Sequence, residues 1–576
     1  MTPVRRIRRR QPVQPAGDWP DSVPPLLRRI YAARGAAEPA LARPRLAGLP
    51  APAGLRGIDA AVELLAGAIA GNRRILVVAD FDCDGATACA VSVRGLRMLG
   101  ARNVVHAVPN RMVHGYGLSP SLVEEVAALE PELLLTVDHG IACHAGIAAA
   151  RARGWQVVVT DHHLPGEQLP DADAIVNPNQ HGCGFSGKAL AGVGVVFYVL
   201  LALRALLRRR DAFTGAEPDL AKLLDLVAVG TIADLVPFDA SNRALVAAGL
   251  RRLRAGQGAP GLRALVEVAG RDPRALSAAD IGYAVAPRLN AAGRLEDMAL
   301  GIECLLCDDP ARARELARTL DAINSERRSV QAAMVDEAEA AVAACVLDDD
   351  GAAGRVAWCL FDPQWHPGVV GLVASKLKDR LHRPVVAFAP AAPDGELLRG
   401  SARSIPGFHM RDALAAVDVA EPGLIERFGG HAMAAGLTLR ADRLPRFEEV
   451  FRRQAAAALD DSLLQSVIDS DGELEPAEFD RFHAEALRDG GPWGQAFPEP
   501  VFDGEFELLD FRQVGERHLR MRLRAAGRSG ALKAIHFGGW RDQPPPSRVR
   551  LAFRLACDDW RDARDIQLVV DHLEPA

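Results

Sequence analysis

Residues 75–85, Ile-Leu-Val-Val-Ala-Asp-Phe-Asp-Cys-Asp-Gly, join five apolar residues to three aspartates. The apolar run has the length and β-branched content of a strand buried on both faces of a parallel sheet. In open parallel sheets the functional site lies beyond the carboxyl ends of the strands. Asp80, Asp82 and Asp84 follow at alternate positions, so they would share one side of the chain if the strand continued through them. The stretch therefore predicts an α/β fold with an acidic site at the sheet edge.

Two later apolar runs of strand length, residues 133–137 and 157–160, also end in acidic and imidazole side chains. The side chains that follow them are Asp138 and His139, and then Asp161, His162 and His163. Helical segments lie between the runs, which is typical of repeated βαβ units. Because parallel strands end at one edge of their sheet, we expect these groups to converge with the first cluster.

A further carboxylate, Asp234, follows the helix-like segment 223–232. Carboxylates gathered at one edge repel each other strongly unless cations lie among them. Mixed carboxylate and imidazole ligands suit Mn²⁺ or Mg²⁺, and two such ions can promote phosphodiester cleavage. Two other interpretations exist. Each aspartate could be a helix N-cap, or the first cluster could be a calcium loop, although it lacks the bidentate glutamate of such loops.

The rest of the chain changes character several times. Residues 192–345 are mostly helical in pattern, and residues 311–346 contain neither glycine nor proline, which predicts one long connecting helix. A second α/β region follows at about 356–448. From about residue 470, short alternating strands predict a small β-barrel. Five aromatic residues there could stack bases or fill the barrel core: Trp493, Phe497, Phe502, Phe506 and Phe511.

Composition limits the class of protein. The chain has 576 residues, 49% hydrophobic and 25% charged, which indicates a globular protein with more than one core. It shows no membrane-length apolar run and no apolar signal core, and its nine cysteines have no repeated spacing, so we expect a cytoplasmic protein without membrane association. The net charge of −6 means that nucleic-acid binding must depend on local positive charge. An arginine cluster at residues 5–10 predicts a nucleic-acid arm or a solvated tail.

Four motifs resemble, in order, those of the DHH phosphoesterase superfamily. They are DFDCDG (residues 80–85), TVDHGI (136–141), VVVTDHH (157–163) and GTIADLVP (230–237). Four later motifs resemble the RecJ branch of that superfamily: APRLNAAGR (286–294), WHPGVVG (365–371), GSARS (400–404) and FGGHAMAAG (428–436). Each motif alone is modest evidence, but the ordered set covers nearly the whole chain and is highly specific.

The resemblance implies a two-metal site for Mn²⁺ or Mg²⁺. Its ligands would be Asp82, Asp84, Asp138, His162 and Asp234, with Asp80 beside them as a further ligand or a neighbour. Many members of the superfamily have a ligating histidine at the position of Val78, and Asp80 could compensate for its absence. The family often has asparagine where this chain has His139, which changes hydrogen bonding around the ligands rather than the ligand set.

The resemblance also implies roles around the substrate. Three residues would be catalytic: His163 would face the scissile phosphate and stabilise charge or protonate the leaving oxygen, and Arg288 and Asn290 would act nearby. The substrate-binding residues would be Arg111, Ser401, Arg403, Gly429, Gly430 and His431. Arginine binds a terminal phosphate bidentately, and glycine allows the backbone to approach it closely.

The implied architecture is an α/β chain in which a parallel-sheet DHH domain is joined by a long helix to an α/β DHHA1 domain, with a C-terminal OB-like β-barrel. The expected segments are an N-terminal helical extension (1–70), the DHH catalytic domain (71–305), the connecting helix (306–347), the DHHA1 substrate-binding domain (348–455) and an OB-fold-like nucleic-acid-binding domain (456–576).

The implied activity is 5′ to 3′ hydrolysis of single-stranded DNA to mononucleotides in DNA recombination and repair. The substrate would be single-stranded DNA with a 5′ end, and the partners a single-strand-binding protein and a helicase. Two alternatives remain. Nano-RNases and small-nucleotide phosphoesterases of the DHH type tend to be shorter and lack the barrel. A non-catalytic DNA-binding replication scaffold would have lost the metal-binding acids.

Overall fold

The computed structural model describes residues 5–111, 113–348, 355–392, 395–541, 543–558 and 565–576. The chain divides into two compact units. The larger unit contains residues 10–324 and 471–576, and the smaller contains the residues up to Arg9 and residues 325–470. No helix within the described ranges combines the length and the apolar character needed to cross a bilayer.

The strands and helices are numbered in chain order. The strands are β1 (Arg5–Arg9), β2 (Ile75–Ala79), β3 (Val104–Ala107), β4 (Leu133–Val137), β5 (Gln156–Thr160), β6 (Ala174–Val176), β7 (Trp358–Phe361), β8 (Val385–Pro390), β9 (Leu397–Arg403), β10 (Arg427–Gly430), β11 (Ala434–Arg440), β12 (Ser466–Ser470), β13 (Phe502–Val514), β14 (His518–Ala525), β15 (Leu532–His536), β16 (Arg548–Asp558) and β17 (Asp565–Pro575). The α-helices are α1 (Pro25–Ala32), α2 (Pro39–Ala42), α3 (Ile58–Ala70), α4 (Cys83–Met98), α5 (Pro120–Val126), α6 (His144–Ala152), α7 (Gly192–Arg209), α8 (Leu224–Ala233), α9 (Ala240–Arg254), α10 (Pro260–Val268), α11 (Ala278–Asp280), α12 (Ala286–Leu295), α13 (Ala299–Leu306), α14 (Pro310–Asp348), α15 (Val370–Leu381), α16 (Met410–Ala420), α17 (Leu444–Ala458) and α18 (Arg481–Asp489).

A five-stranded parallel sheet in the order β3-β2-β4-β5-β6 forms the centre of the larger unit. Side chains on β2 alternate between two apolar clusters. Val77 packs into the large core that includes α4 and α7, whereas Val78 packs on the other face with residues of α5 and α6. Because helices cover both faces, every residue of β2 and β4 is buried. This explains the uninterrupted apolar runs in the sequence.

The C-terminal strands close into a barrel in the order β13-β14-β15-β17-β16, as the sequence predicted. Phe502, Phe506 and Phe553 are buried inside it and belong to the same continuous apolar cluster as β2 and α4. The barrel therefore does not have a separate core. Phe497 is also buried, so three of the five aromatic residues considered for base stacking fill the protein interior instead.

The smaller unit contains a mixed sheet in the order β10-β11-β9-β8-β7, in which only the β7–β8 pair is parallel. Phe388, Phe447 and Phe451 form its buried aromatic centre. A separate two-stranded sheet pairs β1 in parallel with β12. The arginine cluster at the N-terminus thus forms a strand rather than a solvated tail, and Arg8 forms an ion pair with Asp469 at 2.7 Å.

The long connecting helix predicted from residues 311–346 is α14, which has 39 residues. Helices α8 and α9 pack very closely at Gly249, where an added Cβ would come within 2.1 Å of the Leu224 carbonyl oxygen. We expect Gly249→Ala to destabilise the protein by about 1–3 kcal/mol, because the helices must separate to accept the methyl group. Urea or thermal unfolding measures this effect.

Gly67→Ala is the matched control. Gly67 lies inside α3, and a Cβ there would make only an ordinary contact, 3.5 Å from Arg73 Nη2. Alanine favours a helix over glycine by about 1 kcal/mol, so this variant should be unchanged or more stable. If both substitutions stabilised the protein, the close packing at Gly249 would not constrain the fold.

Candidate active site

The first acidic cluster occupies the turn between β2 and α4. The strand ends at Ala79, so the expected alternation of the three aspartates along a continuing strand is wrong. Asp82 is instead the N-cap of α4 and accepts a hydrogen bond from Gly85 N–H at 3.0 Å. A Cβ at Gly85 would come within 2.5 Å of the Asp80 carbonyl oxygen, which explains the glycine. The N-cap interpretation therefore holds for Asp82, and the turn still brings the acids together.

Asp84 and Asp138 are both deeply buried. Asp84 accepts hydrogen bonds from the N–H groups of Gly192 (2.6 Å) and Val193 (3.0 Å) in the first turn of α7. Asp138 follows β4 with φ 66°, a left-handed conformation that turns the chain at the strand end. A Cβ at Gly192 would come within 2.4 Å of Asp138 Oδ1, so the start of α7 must be glycine to fit against both carboxylates.

His162 lies between two carboxylates. Its Nε2 atom is 3.1 Å from Asp138 Oδ1 and 3.4 Å from Asp234 Oδ2. Among the residues that the structure describes, three sets of side chains each have their potential ligand atoms within 4.8 Å of one another. These sets are Asp138, His162 and His163; Asp84, His162 and Asp234; and Asp80, Asp82 and Asp138. Because Asp138 and His162 each belong to two sets, the arrangement has the form of adjoining cation sites with shared members.

Burial and mutual repulsion raise the pKa values of four carboxyl groups at the sheet edge. Burial, followed by the charge of Asp82, raises the pKa of Asp80 to about 8 and that of Asp84 to about 7. Burial and the neighbouring acids raise the pKa values of Asp138 and Asp234 well above the ordinary range. Divalent cations among these oxygen atoms would remove the repulsion that opposes ionisation. The side chains present therefore fit a pair of hard divalent cations.

Asp161 has a different environment from the other acids. Burial alone would raise its pKa, but it accepts hydrogen bonds from His163 Nδ1 (2.8 Å) and from backbone N–H groups, and the two histidines lower the pKa well below its usual range. In return, although burial opposes it, Asp161 raises the pKa of His163 to about 9. His163 is therefore a cationic imidazole held in a fixed orientation.

Two asparagines that the sequence analysis missed support the histidine pair. Asn177 Nδ2 donates to the His163 carbonyl oxygen at 2.8 Å, and Asn179 Nδ2 donates to that of His162 at 2.6 Å. The signal was the Asn-Pro-Asn sequence that directly follows β6, another strand ending at this edge of the sheet.

His139 and Val78 form a contact of their own. His139 Nε2 lies 3.0 Å from the Val78 carbonyl oxygen, and burial lowers the pKa of His139 to about 4. His139 is thus a neutral group that links the ends of β2 and β4. The Val78 side chain packs into the apolar cluster on the other face of the sheet, so this position contributes a backbone acceptor.

The remaining predicted residues of the larger unit lie along the turn after β2 or close to α14. Asn290 Oδ1 accepts a hydrogen bond from Cys83 N–H at 2.9 Å. The Arg111 guanidinium lies 4.1 Å from the centre of the Phe81 ring. Arg288 forms an ion pair with Asp321 at 2.7 Å. Asn290 and Arg111 therefore contact the same acidic turn through Cys83 and Phe81.

The other predicted substrate-binding residues lie together in the smaller unit. Ser401 and Arg403 are on β9, and Arg403 Nη1 donates to Ser401 Oγ at 3.2 Å. A Cβ at Gly371 would come within 2.9 Å of both side chains, so this glycine leaves room for them. On the adjoining strands, Gly429 pairs with Gly436, which pairs in turn with Ser401. Gly430 ends β10 with φ 139°, and His431 follows it.

Three parts of this chain match the domains of known protein families. The DHH family N-terminal domain matches residues 74–231, the DHHA1 domain matches residues 349–457, and the RecJ OB domain matches residues 470–572. The sheet with its acidic edge and these matches define a protein of the DHH type with a DHHA1 domain.

The relatives give the particular family. The chain is 51% identical to the single-stranded-DNA-specific exonuclease RecJ of Dickeya dadantii, with 100% of each chain covered. It is 48% identical to that of Escherichia coli, covering 98% of this chain and 99% of the other. The Mn²⁺ complex of RecJ from Thermus thermophilus has a TM-score of 0.78 at 31% identity, covering 96% of this chain and 76% of that one. This chain belongs to the RecJ family of single-stranded-DNA-specific exonucleases, which confirms the family and the fold class predicted from the sequence.

The acidic cluster leads to a prediction about metal and stability. We expect Mn²⁺ to raise the melting temperature of the protein, since a ligand present at a hundred times its Kd stabilises the folded state by about 2.7 kcal/mol. Asp138→Asn should lose most of this response. In chelator it should melt no lower than the unsubstituted protein, because one of the repelling charges is gone.

Asp225→Asn is the control for this prediction. Asp225 is equally buried and accepts a hydrogen bond from Ala259 N–H at 2.6 Å, outside the three sets of candidate ligands. It should lower the melting temperature in chelator yet retain the Mn²⁺ response. A full Mn²⁺ response in Asp138→Asn would show that Asp138 does not bind the ion.

Proposed function

We propose that this chain hydrolyses single-stranded DNA from its 5′ end to mononucleotides, acting in DNA recombination and repair. The observation that carries the proposal is the gathering of acidic and imidazole side chains at the ends of the parallel strands, where His162 lies between Asp138 and Asp234, in a member of the RecJ family. RecJ structures with Mn²⁺ and with Mg²⁺ support these ions as cofactors. The proposed ligands are Asp80, Asp82, Asp84, Asp138, His162 and Asp234.

The chemistry follows from the charges at the sheet edge. A bound cation pair supplies activation of water and stabilisation of the leaving oxygen. His163, protonated because it is paired with Asp161, can donate a hydrogen bond to a phosphate oxygen or a proton to the leaving group. Asn290 and Arg111 flank the turn that carries Asp82 and Asp84. Asn290 and Arg288 would act at the scissile phosphodiester, whereas Arg111 would bind a phosphate of the substrate.

The 5′ end would be read by the smaller unit. A terminal phosphate carries more charge than an internal one, and a planar guanidinium beside a hydroxyl suits it. Arg403 and Ser401 provide that pair on β9, and Gly429, Gly430 and His431 provide backbone N–H groups and an imidazole. We propose that these residues form the pocket for the 5′ phosphate. The hydrogen bond from Arg403 to Ser401 and the pairing of β11 with β9 support this arrangement.

The division of the chain predicted from the sequence is part of the proposal, with residues 71–305 catalytic, 348–455 substrate-binding and 456–576 nucleic-acid-binding. On β14 the outward positions Arg520, Arg522 and Arg524 alternate with buried apolar residues, and Arg524 forms an ion pair with Glu507 at 3.0 Å. The enzyme would act in the cytoplasm on strands unwound by a helicase and bound by a single-strand-binding protein.

The activity and the role of His163 are tested together. Single strands labelled at either end should release mononucleotides from the 5′ end only, and only with Mn²⁺ or Mg²⁺. His163→Gln should lower kcat by about 10²–10⁴-fold, because the cationic donor is lost, while Mn²⁺ binding persists. Cleavage confined to two- to five-nucleotide substrates would favour a nano-RNase, and an undiminished kcat would exclude His163 from catalysis.

Arg403→Ala should reduce the preference for 5′-phosphorylated strands. Loss of one charge-assisted hydrogen bond costs about 1.5–3 kcal/mol, which would appear in kcat/KM on 5′-phosphate but much less on 5′-hydroxyl strands. Arg399→Ala, on the same strand and face four residues away, should leave the preference unchanged. An equal loss on both substrates would mean that Arg403 is a general phosphate contact.

A further inference from the structure

The segment that follows Asp234 is fixed by hydrogen bonds from the next helix. It runs from Asp234, at the end of α8, to Asp239, the N-cap of α9. Within it Leu235 has φ 58° and is 72% exposed, whereas Phe238 is buried. Asp234 N–H donates to the Gly230 carbonyl oxygen at 3.0 Å, so α8 holds Asp234 on one side and the segment between the two helices holds it on the other.

Two buried side chains at the start of α9 hold that segment. Asn242 Nδ2 donates to the carbonyl oxygen of Pro237 (2.9 Å) and to that of Ala189 (2.6 Å), three residues before Gly192. Arg243 Nε donates to the Phe238 carbonyl oxygen at 3.1 Å. Asn242 therefore joins two chain segments beside the acidic site. One carries Asp234, and the other leads to Gly192, whose N–H donates to Asp84.

A loop of the C-terminal part contacts the same segment from another side. Gly494 and Phe497 exchange two backbone hydrogen bonds, of 2.9 and 3.1 Å, which close a tight turn. Phe238 N–H donates to the Gln495 carbonyl oxygen at 2.7 Å. A Cβ at Gly494 would lie 2.7 Å from the Phe238 ring, so the turn packs directly on that ring.

Arg243 joins the two supports. Its guanidinium lies 4.0 Å from the centre of the Phe497 ring, so the side chain that holds the Phe238 carbonyl is itself held by the turn. Phe497 is stacked on Trp493, at 5.4 Å between ring centres, and on Tyr31, at 6.2 Å. All these residues belong to the larger unit, whose apolar core includes both the barrel and the parallel sheet.

We propose that the turn at residues 494–497 is a positioning element of the metal site, acting through Phe238 and Arg243 on Asp234. The inference rests on the proposed role of Asp234 as a metal ligand. Mutation of groups that orient a metal ligand typically lowers metal affinity or activity by about 10–100-fold. Residues 471–576, which include this turn and the barrel, would then affect the chemistry even on substrates too short to reach the barrel.

Phe497→Leu in the full-length protein tests the proposal, with Phe506→Leu as the matched control. Both residues are 3% exposed. Phe506, on β13, packs against Phe479 and against Phe553 on β16. Mn²⁺ affinity is measured from the electron paramagnetic resonance signal of free Mn²⁺, and kcat on a very short oligonucleotide. We expect Phe497→Leu to weaken Mn²⁺ binding about tenfold and to lower kcat, while Phe506→Leu loses comparable stability but binds Mn²⁺ normally.

Gly494→Ala provides a second perturbation, because the added methyl group must displace the Phe238 ring, and it should act in the same direction. Unchanged Mn²⁺ affinity in both variants, or an equal loss in Phe506→Leu, would overturn the proposal. If the unsubstituted protein binds Mn²⁺ but does not cleave DNA, the proposed function fails while the comparison of affinities still decides this inference. If it binds no Mn²⁺, Asp234 is not a ligand and the inference is wrong.

Discussion

Asp84, Asp138 and Asp234 lie close together at the sheet edge, where burial and neighbouring charge both oppose ionisation. This repulsion constrains much of the surrounding structure. The first turn of α7 meets Asp84 with two N–H groups, and a helix N-terminus is a favourable place for negative charge. Gly192 is needed because any side chain there would strike Asp138. The backbone around the cluster is thus fitted to anions that also require cations.

The three histidines near these acids differ in their surroundings. His139 is neutral and ties two strand ends together, His162 lies among carboxylates, and His163 is kept cationic by Asp161. The three histidines near one sheet edge therefore have different surroundings, and burial and one carboxylate shift the pKa values of His139 and His163 in opposite directions. A fold that differentiates its histidines in this way can separate cation binding from phosphate recognition within one sheet edge.

The parallel sheet and the convergence of acids at its edge could be predicted because buried apolar runs and strand-end aspartates are local signals. The order of the motifs also identified Asp138, His162 and Asp234, whose side chains lie together in the structure. Other features depend on distant partners and leave no such signal. Arg8 lies in a strand because Asp469 and β12 pair with it, and Phe497 is buried because Arg243 and Tyr31 surround it. The position of Asp161 at a strand end was visible in the sequence. Its lowered pKa was not, because it depends on the hydrogen bonds that this carboxylate accepts.

The pairing of β1 with β12 has a consequence for biosynthesis. Arg8 and Asp469 are 461 positions apart, and the larger unit is likewise assembled from residues 10–324 and 471–576. At translation rates of about 5–20 residues per second, the first strand emerges from the ribosome roughly 25–90 seconds before its partner. The larger unit therefore cannot complete its folding on a nascent chain that still lacks residues 471–576, whereas the smaller unit needs the chain only through residue 470. The unit that holds the acidic sheet edge is thus completed only when residues 471–576 join residues 10–324.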